Sequence, residues 1–395
     1  MLDCEQFGGP IFGGCRLPNL KNSIPTTMSP MKSLSILGFT ALATAGLALG
    51  QAVTTPVGYV TIECKASSDT IVGVPMRQYS AYAGTLDGAP VVSNGLATLT
   101  LSGAPELAAD AFANTHYVKF KNTLPTPAAG DGQWFVITTN TADTLTVDLN
   151  GATIDAVSGA ALEVLKFWTL NELFNPADST TDAATTKNAI VASTSQLTTG
   201  RRTQILIPNY TAAGTNASAS SIFYVNAGIW KQSGMGSADY GSFQLLPDSY
   251  FIIRNPSQVT GSTFYTSTGE VESGCMGLFL STLASASQDN YVSLPRPVDV
   301  KLRDLNLGGT SSFMPSTGTL TTQRRDQLFV YNNAATGFNK SASAIYYYHD
   351  NMWKKSGQGN TDFGDDVIPA GSGFVIRKYK SGNGASVSWL NTSSY

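Results

Sequence analysis

Thr198-Thr199-Gly200-Arg201-Arg202-Thr203-Gln204 and Trp230-Lys231-Gln232-Ser233-Gly234-Met235-Gly236 return later in the chain as Thr321-Thr322-Gln323-Arg324-Arg325-Asp326-Gln327 and Trp353-Lys354-Lys355-Ser356-Gly357-Gln358-Gly359. Residues 198–254 and 321–377 align without a gap at an offset of 123, with identity at 25 of 57 positions. A period this long is not that of a solenoid built from short units, so each copy reads as a domain or most of one. Within a copy, Gln204 to Ile207, Ile222 to Val225, Ile229 to Gln232 and Phe251 to Arg254 are short apolar or alternating runs bounded by Gly, Pro, Asn and Asp, as strands are. Asn226-Ala227-Gly228 and its counterpart His349-Asp350-Asn351 supply residues that tolerate the positive φ of a hairpin loop. The pattern predicts a mainly β fold of two tandem repeated modules, sandwich or barrel-like.

Landmarks upstream of the repeat keep the same order. Asp69-Thr70-Ile71-Val72-Gly73-Val74-Pro75 matches Asp289-Asn290-Tyr291-Val292-Ser293-Leu294-Pro295, and Leu170-Asn171-Glu172-Leu173 matches Leu302-Arg303-Asp304-Leu305. Between these landmarks the first copy spends 95 positions and the second 7, so the first carries a domain-sized insertion of 88 residues. Inside it, Val118-Lys119-Phe120 alternates, and Trp134 to Thr138 and Thr144 to Asp148 frame a turn, which predicts a small β barrel or sandwich. A short helix is expected from Glu106 to Phe112, because Pro105 suits a first turn. Thr169 and Glu172 have the spacing of a capping box.

The N-terminal region reads as an export signal. Lys32 gives a basic end, 34–49 is apolar and small, and Gly50-Gln51-Ala52 suits a signal peptidase, so the mature chain is expected to start near Val53. The apolar run is short for a membrane span. Residues 1–30 read as a disordered upstream mis-start and 31–52 as the signal peptide. Module 1 then covers 53–77 and 167–255, the insertion 78–166, a linker 256–268 rich in Pro, Ser, Thr and Gly, and module 2 the stretch 269–395. Without residues 1–52 the chain has 21 basic and 25 acidic residues, and this deficit of positive charge argues against nucleic-acid partners.

Candidate chemistry is sparse. The two histidines, His116 and His349, have no Gly-x-Ser-x-Gly elbow to serve, and Asn226 stands at the counterpart of His349. Asp362, Asp365 and Asp366 form the densest acidic patch and are the candidate calcium ligands, although the first copy keeps only Asp239. Trp230 and Trp353, with Tyr224 and Tyr347 on the neighbouring strand, are the candidate ligand-binding residues, because flat rings with polar edges stack on sugars. The competing reading places the same rings in the core. Cys64 and Cys275 follow similar motifs, Gly58-x-Val60-x-x-x-Cys64 and Gly269-x-Val271-x-x-x-Cys275; they can form a disulfide or remain buried thiols at equivalent positions. No cofactor is expected.

Several motifs together, Thr54-Thr55-Pro56-Val57-Gly58-Tyr59-Val60, the Asp69 segment, the Ile137 to Val147 hairpin, Phe167-Trp168-Thr169-Leu170 and the Trp-Lys hairpins, give the chain a resemblance to an uncharacterised family of exported proteins, about 400 residues long, from Verrucomicrobia-like bacteria. The resemblance implies bacterial origin and export and brings no known activity. The leading expectation is a non-enzymatic exported β protein with a structural or interaction role in the periplasm, at the cell surface or outside the cell. Its partner would be a cell-envelope glycan or a surface protein, and its mature chain would have no membrane span. A carbohydrate-binding module is the alternative and a polysaccharide hydrolase the third reading.

Overall fold

Alternating apolar runs pair into sheets wherever one face can be buried, and this chain does so repeatedly. The fold is mainly β. In the computed structural model, which describes residues 55–121 and 130–392, the four runs of each repeat gain a fifth strand from the upstream landmark. The expected mis-start, signal peptide and cleavage point lie outside the described residues.

One sheet runs Ile229–Gln232, Ala219–Asn226, Gln204–Pro208, Phe251–Asn255, Ser68–Val72. The other runs Met352–Lys355, Ala344–His349, Gln327–Val330, Gly373–Lys378, Gln288–Ser293. Both are antiparallel and share one register: Ile205 faces Phe223 and Ile253 as Leu328 faces Tyr346 and Ile376. The central hairpins close through two-residue loops with φ of 54° and 76° at Ala227 and Gly228, and 49° and 57° at Asp350 and Asn351, the mirror-image turns that match strand twist.

Residues 80–166 form a seven-stranded antiparallel sheet of their own. It curls until the Asp87 amide donates to the Thr100 carbonyl at 2.8 Å and the Ser102 amide to the Thr85 carbonyl at 2.9 Å, closing a small barrel around Leu99, Phe120, Ile137, Val147 and Val164. The expected helix from Glu106 to Phe112 is instead a run of turns. Glu106 and Asp110 each take φ of 55°, a left-handed conformation that reverses the chain rather than continuing a helix. The capping box does form: the Glu172 amide donates to Thr169 Oγ1 and the Thr169 amide to Glu172 Oε2.

Two expectations need correcting, the linker and the equivalence of the two cysteine motifs. Part of the presumed linker 256–268 is strand, since Thr263–Glu270 pairs along its whole length with Val57–Cys64. Its alternation of Phe264, Thr266 and Thr268 outward with Tyr265 and Ser267 inward is strand chemistry under a turn-like composition. Gly58 and Gly269 are therefore register partners in one ribbon, not equivalent positions in two modules. Cys64 ends that ribbon, whereas Cys275 precedes the strand Met276–Leu280, which pairs with Val387–Asn391.

Three large buried cores result, around Trp230 and Phe174, around Trp353 and Trp389, and inside the barrel, with two smaller apolar clusters around Tyr250 and Tyr291 and around Tyr117 and Phe167. The two five-stranded units meet reciprocally. The Asp69 amide donates to Gly337 O and the Asp289 amide to Gly214 O, both at 2.9 Å; the Gly73 amide donates to Gly371 O at 3.0 Å and the Ser293 amide to Asp248 O at 2.9 Å. Gly214 and Gly337, and Asp248 and Gly371, are each 123 positions apart, so the contact has the form of an isologous twofold interface within one chain.

Candidate functional site

The aromatic residues singled out for sugar stacking are core residues. Trp230 is 0 % exposed and Trp353 3 %, and Tyr224 and Tyr347 are equally enclosed. Trp230 donates from Nε1 to the Phe174 carbonyl at 3.3 Å and packs edge-on against Phe174; Trp353 packs on Phe313 and Tyr348. Alternation turns both tryptophans inward because rings of this area do most when removed from water. None of the four can stack on an external ligand, and the carbohydrate-binding reading loses the residues on which it stood.

The repeated polar residues have structural partners too. Arg201 lies 4.6 Å above the Tyr224 ring and donates to Ser233 Oγ at 2.8 Å; Arg324 lies 4.7 Å above Tyr347 and donates to Ser356 Oγ at 2.8 Å. Lys231 and Lys354 are buried and turn their ammonium groups to the loop carbonyls of Ser237 and Asn360. Asp239 and Asp362 each accept the amide two residues on, at 2.9 and 3.0 Å. The motif that defines the repeat thus builds one hairpin and the loop behind it.

The acidic patch is already neutralised by protein cations. Asp365 receives Arg303 at 2.6 Å and Lys301 at 3.0 Å, and Asp366 receives the Tyr346 hydroxyl at 2.6 Å and Lys355 at 3.0 Å. Among the described residues no cluster of three or more His, Cys, Asp or Glu side chains has the arrangement of a metal site. Asp362, Asp365 and Asp366 therefore do not come together as calcium ligands. Cys64 and Cys275 are both buried free thiols and do not pair. Burial pushes the Cys64 thiol up to about 12, with a smaller opposing effect from Thr70.

A different place has the properties of a site. Where the barrel meets both five-stranded units lies an open cavity of about 200 Å³, walled by Trp134 of the barrel, Tyr210 and Asp248 of the first unit, and Asn290 and Tyr291 of the second. The position of Asp248 is set by the interface itself: its carbonyl accepts from Ser293, and its side chain accepts from Trp134 Nε1 at 3.2 Å and from Ser249 Oγ at 2.9 Å. Burial raises its carboxyl above the ordinary aspartate value, against the lowering effect of those two hydrogen bonds. Tyr210 and Tyr291 pack at 6.4 Å with their rings tilted.

No family model, curated protein or solved structure matches this chain. The site is therefore read from its own residues. Sequence reasoning passed over all five wall residues, because they come from three separate sheets or loops. One signal was present: the counterparts of Asp248 and Tyr210 in the second copy are Gly371 and Asn333. Both departures line the cavity, beside Ser249, which the second copy keeps as Ser372.

A second cluster joins the same bodies without a cavity of useful size. Arg77 pairs with Glu163 at 2.5 Å and Glu270 at 3.2 Å, Lys119 with Glu272 at 2.5 Å, and Lys121 with Glu163 at 2.7 Å. Burial alone would raise Glu163 and Glu272, but the hydrogen bonds and charges of Lys121, Lys119 and Arg77 outweigh it and hold both below the ordinary glutamate value. Glu270 is raised, burial being the main cause. This is a buried ionic joint between barrel and modules, in which Arg77 Nε, 3.9 Å from Glu272 Oε2, has no hydrogen-bond partner.

Proposed function

We propose that the chain is an exported β protein that works by binding, in the periplasm or at the cell surface, rather than by turnover. The observation that carries this reading is the cavity at the three-way junction, walled by rings and hydrogen-bonding groups that no single module supplies. Sites at domain junctions, part apolar and with a few convergent polar groups, are where small ligands are usually held. The inserted barrel acquires a purpose in this account: it brings Trp134 to Asp248 and forms the cavity wall.

The reading is tested by fractionating the source cells, recovering the native mature protein, and identifying by mass spectrometry what travels with it. Recovery in the envelope or periplasmic fraction with an intact bound compound, displaced when the cavity is filled by Ser281→Trp, supports binding. Cleavage of the recovered compound on prolonged incubation with the wild-type protein would count against it.

A further inference from the structure

The walls of the junction cavity are unbalanced in charge. Two carboxylates line it, Asp248 and Asp148, and no lysine, arginine or histidine is among its described lining residues. Both donors to Asp248, the Trp134 indole and the Ser249 hydroxyl, are neutral, so they satisfy hydrogen bonds without cancelling the charge. Several other buried carboxylates of this molecule are treated differently. Asp69 has Arg254, Asp289 has Arg377, Asp326 has Lys378, and Glu163 has Arg77 and Lys121. A desolvated carboxylate without a counter-ion is costly, which is why its neighbours are paired.

Five aromatic residues share the cavity with this carboxylate, Trp134, Tyr210 and Tyr291 together with Phe135 and Phe279. Ring faces attract cations of low charge density, and the attraction grows when water is excluded. A small hydrated metal ion would want several oxygen ligands instead. A cavity of about 200 Å³ exceeds the roughly 150 Å³ that suffices for benzene. We infer that the cavity binds a compact organic cation, an alkylammonium group, with Asp248 as its counter-ion and Trp134, Tyr210 and Tyr291 as its walls. The inference rests on the binding role proposed above and names the ligand class.

The test is calorimetric titration of the whole mature protein at pH 7 and low ionic strength, using tetramethylammonium and n-butylammonium chlorides, their neutral isosteres tert-butanol and n-butanol, and glucose. Intrinsic tryptophan fluorescence is followed in parallel, with Trp134→Leu identifying the share that comes from Trp134. The expected result is that an ammonium ion binds at least tenfold more tightly than its neutral isostere, that Asp248→Asn removes this preference, and that Trp134→Leu weakens binding without reversing it. Equal or tighter binding of the neutral isostere or of glucose to the wild-type protein would overturn the cation assignment while leaving the binding role standing. Failure of every probe to bind would overturn this inference, whereas an intact compound recovered from cells would still sustain the broader role. The wild-type comparison of charged and neutral probes decides the matter even if a variant is poorly folded.

Discussion

At the scale of single residues, Asp248 and Trp230 show opposite uses of burial. Trp230 is enclosed with its one polar atom satisfied, so Trp230→Ala should cost about 3–5 kcal/mol, read as a lower urea midpoint at unchanged slope. A loss below about 1 kcal/mol would mean the ring contributes little to the core. Asp248 is held where its charge is unwelcome. Its folded carboxyl titrates above the unfolded value, so the fold favours the protonated form, and that contribution is lost as pH rises through the folded value. Asp248→Asn should therefore raise the melting temperature at pH 7, and the gain should vanish below about pH 4. A variant less stable than wild type at pH 7 would show that the carboxylate is well compensated. A residue that lowers stability where it stands is what a binding site requires. Cys64 is inert by the same burial: with its thiol pushed up to about 12, it should resist iodoacetamide at pH 8 until the protein is unfolded. Alkylation of native protein, seen by mass spectrometry, would contradict this.

At the scale of elements, the decisive devices are the reciprocal clamps between the two five-stranded units. Arg254 grips Asp69 with two bonds of 2.7 Å and reaches Asn339 of the opposite unit at 2.8 Å; Arg377 grips Asp289 at 2.7 and 2.9 Å and reaches Asn216 at 3.2 Å. The Asn339 and Asn216 amides return to the same carboxylates at 2.7 and 2.8 Å. Asp69 is 1 % exposed, so Arg254→Met strands a buried charge and should cost about 3–5 kcal/mol in chemical denaturation. A cost near that of a surface pair, about 0–1 kcal/mol, would rule out the clamp as a determinant of stability. The strands themselves were legible from alternation and turn residues, as Trp230 and its loop show. The clamps were not: Arg254 and Asn339 belong to different units, and nothing in local periodicity says that two repeats face each other. The strand Thr263–Glu270 was hidden for a related reason, its Thr, Ser and Gly resembling a linker until Val57–Cys64 supplies the partner. The cavity was least legible of all, because pairing Trp134 with Asp248 joins positions 114 apart across an inserted domain.

At the scale of the whole molecule, the described chain from residue 55 onward behaves as one compact unit, although it has three large cores and two smaller apolar clusters. What joins the barrel to the rest includes the ionic joint of Arg77, Lys119 and Lys121 with Glu163, Glu270 and Glu272, and this makes the union sensitive to acid. Glu163 and Glu272 titrate below their unfolded values; their contribution is complete above about pH 4.3 and is lost as pH falls through their folded values. Glu270 has the opposite sign, its raised value giving a contribution present in acid and lost as pH rises, so it opposes the other two. Protonation of Glu163 and Glu272 predicts loosening in acid, because it removes the carboxylate charges that hold Arg77, Lys119 and Lys121 in the joint. Hydrogen exchange followed by mass spectrometry, corrected for intrinsic rates, should show 76–78, 119–121 and 270–273 losing protection between pH 6 and pH 3. The barrel interior at 97–101 and 145–147 should hold, because its backbone bonds surround an uncharged core. Alkylammonium binding should also fade as pH falls, because protonation of Asp248, whose carboxyl burial raises, removes its counter-ion; hydrogen exchange, not binding, follows the joint. Protection lost uniformly across the barrel would show instead that the insertion unfolds as a whole and that the ionic joint is not its weakest attachment.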